Sequence, residues 1–331
     1  MKMHKSTLAA AITAALALGA AGPAAANIYG VSYLHIDDVL IITLNDDGSS
    51  APAGTFNFNA INTAFLNGAG EATNDVCAGV FGGANDCGPA GARLDAAPAN
   101  GTGGDVTRLD NVFNFFGPGT DQYSNADSLV ARAQLTGDGR TETRQIAESE
   151  LQDGSSASAN AEIASTTGFT FTFTLMGTGS LTLSFDADPR MMALINEGVP
   201  GNYAAESTLN ATFDLRRDAG GVLVNWAPRG TALVNDCLAV GATCVETDDS
   251  QDLNLTLGVT TDGETATHGF AGFTPFGISV TGLSAGTYTL TLAVKTSTLL
   301  TRQQVPEPGL LALLGIGLAG LGVMRRRKQV S

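Results

Sequence analysis

Residues 168–175 alternate without a fault: Gly168, then Phe169, Thr170, Phe171, Thr172, Phe173, Thr174 and Leu175. A helix would scatter the three phenylalanines around its circumference. A strand, whose successive side chains point to opposite faces, gathers them with Leu175 on one side and leaves three threonines on the other. A strand with one wholly apolar face needs a second layer to cover it. The style then repeats: Gly177-Thr178-Gly179 reads as a turn and residues 180–185 alternate again. The spacing predicts a hairpin over 168–185 with one apolar face.

Related patterns recur along the chain. Residues 209–215 and 222–226 carry them, Leu253, Leu255 and Leu257 alternate with polar neighbours, and 286–294 follows the turn Gly282-Leu283-Ser284-Ala285. Nearer the start, the β-rich run 39–44 stops at Asn45-Asp46-Asp47-Gly48, and Phe56 and Phe58 share a face. The expectation is an all-β body, a jelly-roll-like β-sandwich with long Gly/Asn-rich loops. Its organisation reads as 1–26 leader, 27–164 a loop-rich N-terminal part of β character, 165–304 the β-sandwich part, and 305–331 a sorting tail. Residues 66–125 read as irregular, and a loop that long points to a hidden element. Residues 127–135 suit a short helix or strand, and the polar stretch 140–164 suits a helix or a linker.

Both ends are distinct from the body. Lys2 and Lys5 precede an uncharged run over 7–21, and Ala24, Ala25 and Ala26 supply the small residues a signal peptidase accepts. Cleavage after Ala26 is expected. A retained anchor is the weaker alternative, because the core is short and Ala-rich. At the other end come Val305, Pro306, Glu307 and Pro308, then an uncharged stretch over 309–324, then Arg325, Arg326, Arg327 and Lys328. Sixteen residues make a helix of about 24 Å, short for a hydrocarbon core of about 30 Å. Five glycines in that stretch weaken it further. The basic cluster stays cytoplasmic, so the body lies outside the inner membrane. The two prolines keep the juncture extended, where a processing protease can grip it. Residue physics leaves a simple tail anchor and a processed tail both open.

Residues 305–328, in that order of parts and with a leader at the far end, resemble the PEP-CTERM sorting domain of Gram-negative bacteria. The stretch from Asn114 to Phe173 is similar to one group of such proteins, called EDSAP. The resemblance implies a substrate of an exosortase, which cuts near Pro306, Glu307 and Pro308. It also implies transient anchoring in the inner membrane, then release to the cell surface or beyond, and association with exopolysaccharide and biofilm.

The body without residues 1–26 and 306–331 has 279 residues. Six of the 17 cations and one of the 32 acids lie in the ends, so it carries 11 Lys+Arg, 31 Asp+Glu and a net charge of −20. That excludes a nucleic-acid partner, which needs cations. Cys77 with Cys87 and Cys237 with Cys244 are spaced for two local disulfides, the default beyond the inner membrane, though four cysteines allow three connectivities. Zinc is disfavoured by that spacing.

Catalysis finds little purchase. No Gly-x-Ser-x-Gly occurs, and His35 and His268 are the body's two imidazoles. No carboxylate pair can be nominated for a glycosidase. The expectation is therefore no catalytic residue and no cofactor. Loop acids around Asp46 and Asp47, and around Asp248, Asp249 and Asp252, still suit a structural Ca2+. Trp226 on an apolar strand reads as core rather than as a sugar platform. The body reads as a non-enzymatic surface or matrix protein. A carbohydrate-binding module or adhesin is the alternative, and a secreted hydrolase a lesser one. The tail generates a direct expectation: mass spectrometry of secreted protein should find a C-terminus at or before about residue 308. Material still carrying Leu321 or Arg325 would refute processing.

Overall fold

The computed structural model describes residues 27–80, 92–95, 112–119, 122–131, 141–152, 157–164, 168–196, 201–218, 220–231 and 237–304. Among these residues there are strands and no helix. In chain order they are β1 Asn27–Asn45, β2 Ala53–Leu66, β3 Ala69–Val80, β4 Ala92–Asp95, β5 Tyr123–Ala131, β6 Thr141–Gln152, β7 Ala157–Ile163, β8 Gly168–Leu175 and β9 Gly179–Asn196. They continue with β10 Gly201–Arg217, β11 Val222–Trp226, β12 Leu238–Ala239, β13 Thr243–Asp249, β14 Asn254–Val259, β15 Thr265–Gly269, β16 Thr274–Leu283 and β17 Gly286–Gln304.

Two antiparallel sheets pack as a sandwich. One runs β13-β16-β9-β1-β6-β5-β4, with β15 also on β9. The other runs β12-β11-β10-β17-β7-β2-β3, with β14 also on β10 and β8 between β17 and β2. Both sheets combine strands from 27–164 with strands from 165–304, the two sets lying largely side by side in each.

The expected hairpin over 168–185 does not form. β8 pairs with β17 and β2, whereas β9 pairs with β1, β15 and β16 in the other sheet. Residues 176–178 are an arch between layers. The physical reason is cover: paired edge to edge, both apolar faces would point the same way and need a third element. Placed in opposite sheets, they meet in one core. Phe169, Phe171, Phe173 and Leu175 share a buried cluster with Leu181, Leu183 and Phe185. Each such side chain contributes roughly 1.5–3 kcal/mol by leaving water. Trp226 lies fully buried in that cluster, 4.9 Å from the Phe213 ring and 6.1 Å from Phe185.

Several expectations are corrected by the sheets. The polar stretch 140–164 is neither helix nor linker: it contains β6 and β7. Its inward side chains run from Ala147, Ser149 and Ala161 to Gln145, Leu151 and Ile163, and hydroxyls bridge the layers. Ser149 meets Thr298 at 2.9 Å between side-chain oxygens, and Ser124 Oγ donates to the Asn160 carbonyl at 2.7 Å. The irregular stretch 66–125 holds β3, β4 and the start of β5. Much of 127–135 is the end of β5.

Cys237 and Cys244 form a disulfide with Cα atoms 5.9 Å apart. Cys237 precedes β12 in one sheet and Cys244 lies in β13 of the other, so the bond staples the layers at an open edge. Cys87 and the Cys77 side chain lie outside the described residues.

β1 and β17 face each other across the sandwich at Gly30. A Cβ there would stand 3.1 Å from Leu300 Cδ2 and 3.3 Å from Thr298 Cβ. Gly30→Leu is therefore expected to lower stability by about 1–3 kcal/mol, the usual cost of overpacking, in equilibrium urea unfolding. Unchanged stability would show that the sheets can part at this point.

Candidate functional site

The first ten residues of β1 are buried on both faces. Ile28, Leu34 and Ile36 point into the sandwich, while Tyr29, Val31, Tyr33 and His35 point outward. What covers the outward side is the segment 112–119. Phe113 and Phe115 pack on Tyr29, Val31, Tyr33 and Ile146. Two fully buried carboxylates of β6 hold that segment's backbone. Glu148 Oε1 accepts from the Phe116 and Gly117 amides at 2.9 and 3.1 Å, and from the Tyr29 hydroxyl at 2.6 Å. Glu150 Oε1 accepts from the Gly119 amide at 2.6 Å.

Beside this strap the outward face opens into a cleft of about 220 Å³ lined by Tyr33, Phe113, Asn114, Phe115, Arg144 and Arg190. Strand register assembles it. Tyr33 pairs with Arg190, and His35 pairs with Asp188 on one side and Arg144 on the other. Each flanking strand carries an acid and an arginine two residues apart, which puts both on one face. Arg190 is bound to Asp188, with Nε at 3.0 Å and Nη2 at 2.6 Å from Oδ2, and its guanidinium lies 5.8 Å from the Tyr33 ring centre. The Asp188 hydrogen bond raises the Arg190 pKa. On the other side Arg144 Nε donates to Glu142 Oε1 at 2.5 Å.

Rings frame the cleft. Phe115 meets Tyr33 edge-on at 5.5 Å and Phe270 at 6.2 Å. His35 packs edge-on against Phe273 at 4.7 Å. Phe270 is placed by a backbone few residues adopt. Its own φ is +66°, and Gly269 before it has φ +81°, where a Cβ would lie 1.9 Å from the Pro189 carbonyl oxygen. Only glycine fits that position.

Burial raises the Tyr33 pKa, so its phenol stays protonated at neutral pH. Burial also lowers the His35 pKa, and the Arg144 charge adds to this against the opposing pull of Glu142. The ring is neutral at pH 7, and its Nε2 lies 2.7 Å from Glu142 Oε1 and 3.3 Å from Arg144 Nε. The cleft thus combines two carboxylate-paired guanidiniums, a phenol, an amide and aromatic surface. This chemistry suits hydrogen bonding to, and stacking on, a polar ring.

The other sequence candidates disperse. His268 pairs with Met191, whose side chain points into the core, so the two imidazoles lie on opposite faces of their sheet. A His268 ring nitrogen lies 2.9 Å from the Asp252 carbonyl oxygen. Asp47 accepts from the Ser49 amide, Asp249 from the Arg229 and Gly230 amides, and Asp252 from the Asn254 amide. Among the described residues no three His, Cys, Asp or Glu side chains cluster as metal ligands. Ala24, Ala26, Val305, Pro306, Glu307, Pro308 and the basic cluster 325–328 lie outside the described residues. Sequence reading singled out His35 as an imidazole but missed Arg144, Arg190 and the Phe115 strap. The signal present was Glu142-x-Arg144 and Asp188-x-Arg190; what paired with what was not readable.

Comparison with known proteins adds one firm finding. The family of the PEP-CTERM protein-sorting motif matches residues 304–328. No curated protein matches the chain. A solved structure of infectious bursal disease virus, Gt strain, aligns over 86% of this chain and 80% of its own at 12% identity, with a TM-score of 0.10 that bears no argument.

The lowered His35 pKa has a consequence. As pH falls below about 6.5, the unfolded ring takes up a proton that the folded ring resists, so stability is lost toward acid. Between pH 7 and pH 5 the melting temperature of His35→Gln should fall less than that of the parent protein. Parallel losses would show that His35 carries no such linkage.

Proposed function

We propose that this chain, exported and released through its PEP-CTERM tail, works without catalysis at the cell surface or in the surrounding exopolysaccharide, where it holds saccharide. The sorting motif carries the first half: such a tail marks export, transient membrane anchoring and exosortase processing. The cleft supports the second. Its carboxylates, Glu142 and Asp188, are each engaged by an arginine, and its imidazole is neutral and hydrogen-bonded. A group held in this way orients donors and does not present a free nucleophile or a poised acid. Biofilm is the setting that fits an exported protein of this kind. Ca2+ in the acidic loops stays a subsidiary proposal, since Asp47, Asp249 and Asp252 already accept backbone amides.

The adhesin or carbohydrate-binding reading is favoured over a purely structural role by one observation. The half-buried Phe115 ring, packed on the buried Tyr33, offers aromatic surface directly beside the Arg144 and Arg190 donors. An aromatic contact is worth about 0.5–1.5 kcal/mol, and a charge-assisted hydrogen bond about 1.5–3 kcal/mol. Isothermal titration of the released body with oligosaccharides from the producer's own matrix tests this. Binding should be measurable, and Arg190→Ala should weaken it about tenfold or more. Absence of binding at millimolar sugar would leave only the structural role. Equal binding by Arg190→Ala would remove the cleft from the account.

A further inference from the structure

The two ends of the body emerge at one pole of the sandwich. β1 begins at Asn27, directly after the expected leader cleavage, and pairs there with Gln152 and Asn196. β17 ends at Gln304, paired with Gly201. Gly30 lies against Leu300 and Thr298, so the two strands run to this pole facing each other from opposite sheets. The turn around Thr261 is at the same pole, since the Gly263 amide donates to the Ile195 carbonyl at 2.9 Å. The opposite pole carries the 45–49 turn and Thr178. At about 3.3 Å per residue, the long strands put it roughly 60 Å away.

The C-terminal tether is short and firmly rooted. Arg302 is buried, paired with Tyr203 and Ala157, and its Nη1 donates to the Gln152 carbonyl. Paired structure continues to Gln304, and the uncharged stretch begins at Gly309. Five extended residues reach at most about 17 Å. The interfacial layer on one side of a bilayer takes about 5–8 Å of that. With the uncharged stretch in hydrocarbon, the pole is held within about 10 Å of the headgroups. The Val305, Pro306, Glu307 and Pro308 segment, about 13 Å when extended, is most of the tether.

We infer that the uncut precursor stands on the membrane on this pole, and that the paired end of β17 crowds the cutting segment and slows its processing. The inference rests on the tail's being an exosortase substrate, yet the two can fail separately. A photo-crosslinking amino acid at Thr261 of the full-length precursor should capture lipid or the protease, and one at Thr178 should not. Equal capture from both positions would overturn the placement. Eight Gly/Ser residues inserted between Gln304 and Val305 should speed cutting in a pulse-chase by about fivefold, the factor set by one net backbone hydrogen bond. An unchanged or slower rate would overturn the crowding. Capture from Thr261 alone, with neither precursor ever cut, would sustain the placement and refute exosortase processing.

Discussion

Everything in this fold follows from the need of strongly alternating strands to hide one face. β8 and β9 each carry an unbroken apolar side, and the arch between them turns those sides toward one another rather than in a common direction. β10 and β17 then extend the second sheet, and β1 and β16 extend the first. The aromatic rings of Phe185, Phe213, Phe276 and Trp226 fill the space between, with neighbouring centroids 4.9–6.1 Å apart. Threonines on the opposite face of β8 cost nothing to expose, because β-branched residues favour strands and their hydroxyls meet water or one another. Thr174 and Thr287 do the latter at 3.2 Å.

The other half of the sandwich is closed by a different means. There the interior holds Ala126, Ala147, Ala161 and Ile163, with Ser124, Ser149, Asn62 and Thr298 buried beside them. Small side chains bring the layers near enough for hydroxyls to bond across: Ser32 Oγ donates to the Thr208 carbonyl at 2.7 Å and Ser207 Oγ to the Met192 carbonyl at 2.6 Å. A buried polar atom left without such a partner would cost about 1–3 kcal/mol. Where the first half depends on area, this half relies in part on hydroxyls bonded across the layers.

That contrast explains what was legible in the sequence. Alternation of Phe with Thr announces a strand, and residues 168–185, 209–226 and 286–294 were readable on that account. Alternation of Ser and Ala with Glu and Gln does not: in β6 the inward residues Ser149, Ala147 and Gln145 are as polar, on average, as a linker. Their outward neighbours Glu148 and Glu150 look solvated until the 112–119 strap is laid over them. Pairing was unreadable for a deeper reason. The alternation of β8 and β9 fixes which face is apolar but not whether two such faces lie side by side or opposed. The cleft inherits the same difficulty. Tyr33-x-His35, Glu142-x-Arg144 and Asp188-x-Arg190 are separate dipeptide patterns in the sequence, and only the register of β1 between β6 and β9 makes them one surface.

The placement of that surface relative to the poles joins the two functional proposals. Tyr33 is six residues along β1 from Asn27, about 20 Å from the tethered pole. The cleft opens on the outer face of its sheet, not at the pole, so a body standing on the membrane leaves the cleft facing sideways above the headgroups. A saccharide site so placed can engage its ligand while the precursor is still anchored, and release then carries the bound polymer outward with the body. On the proposed reading, the cleft and the tethered pole are separate places on one long sandwich. The strand that separates them, β1, is buried on both faces at its pole-proximal end because it serves the core on one side and the strap and cleft on the other.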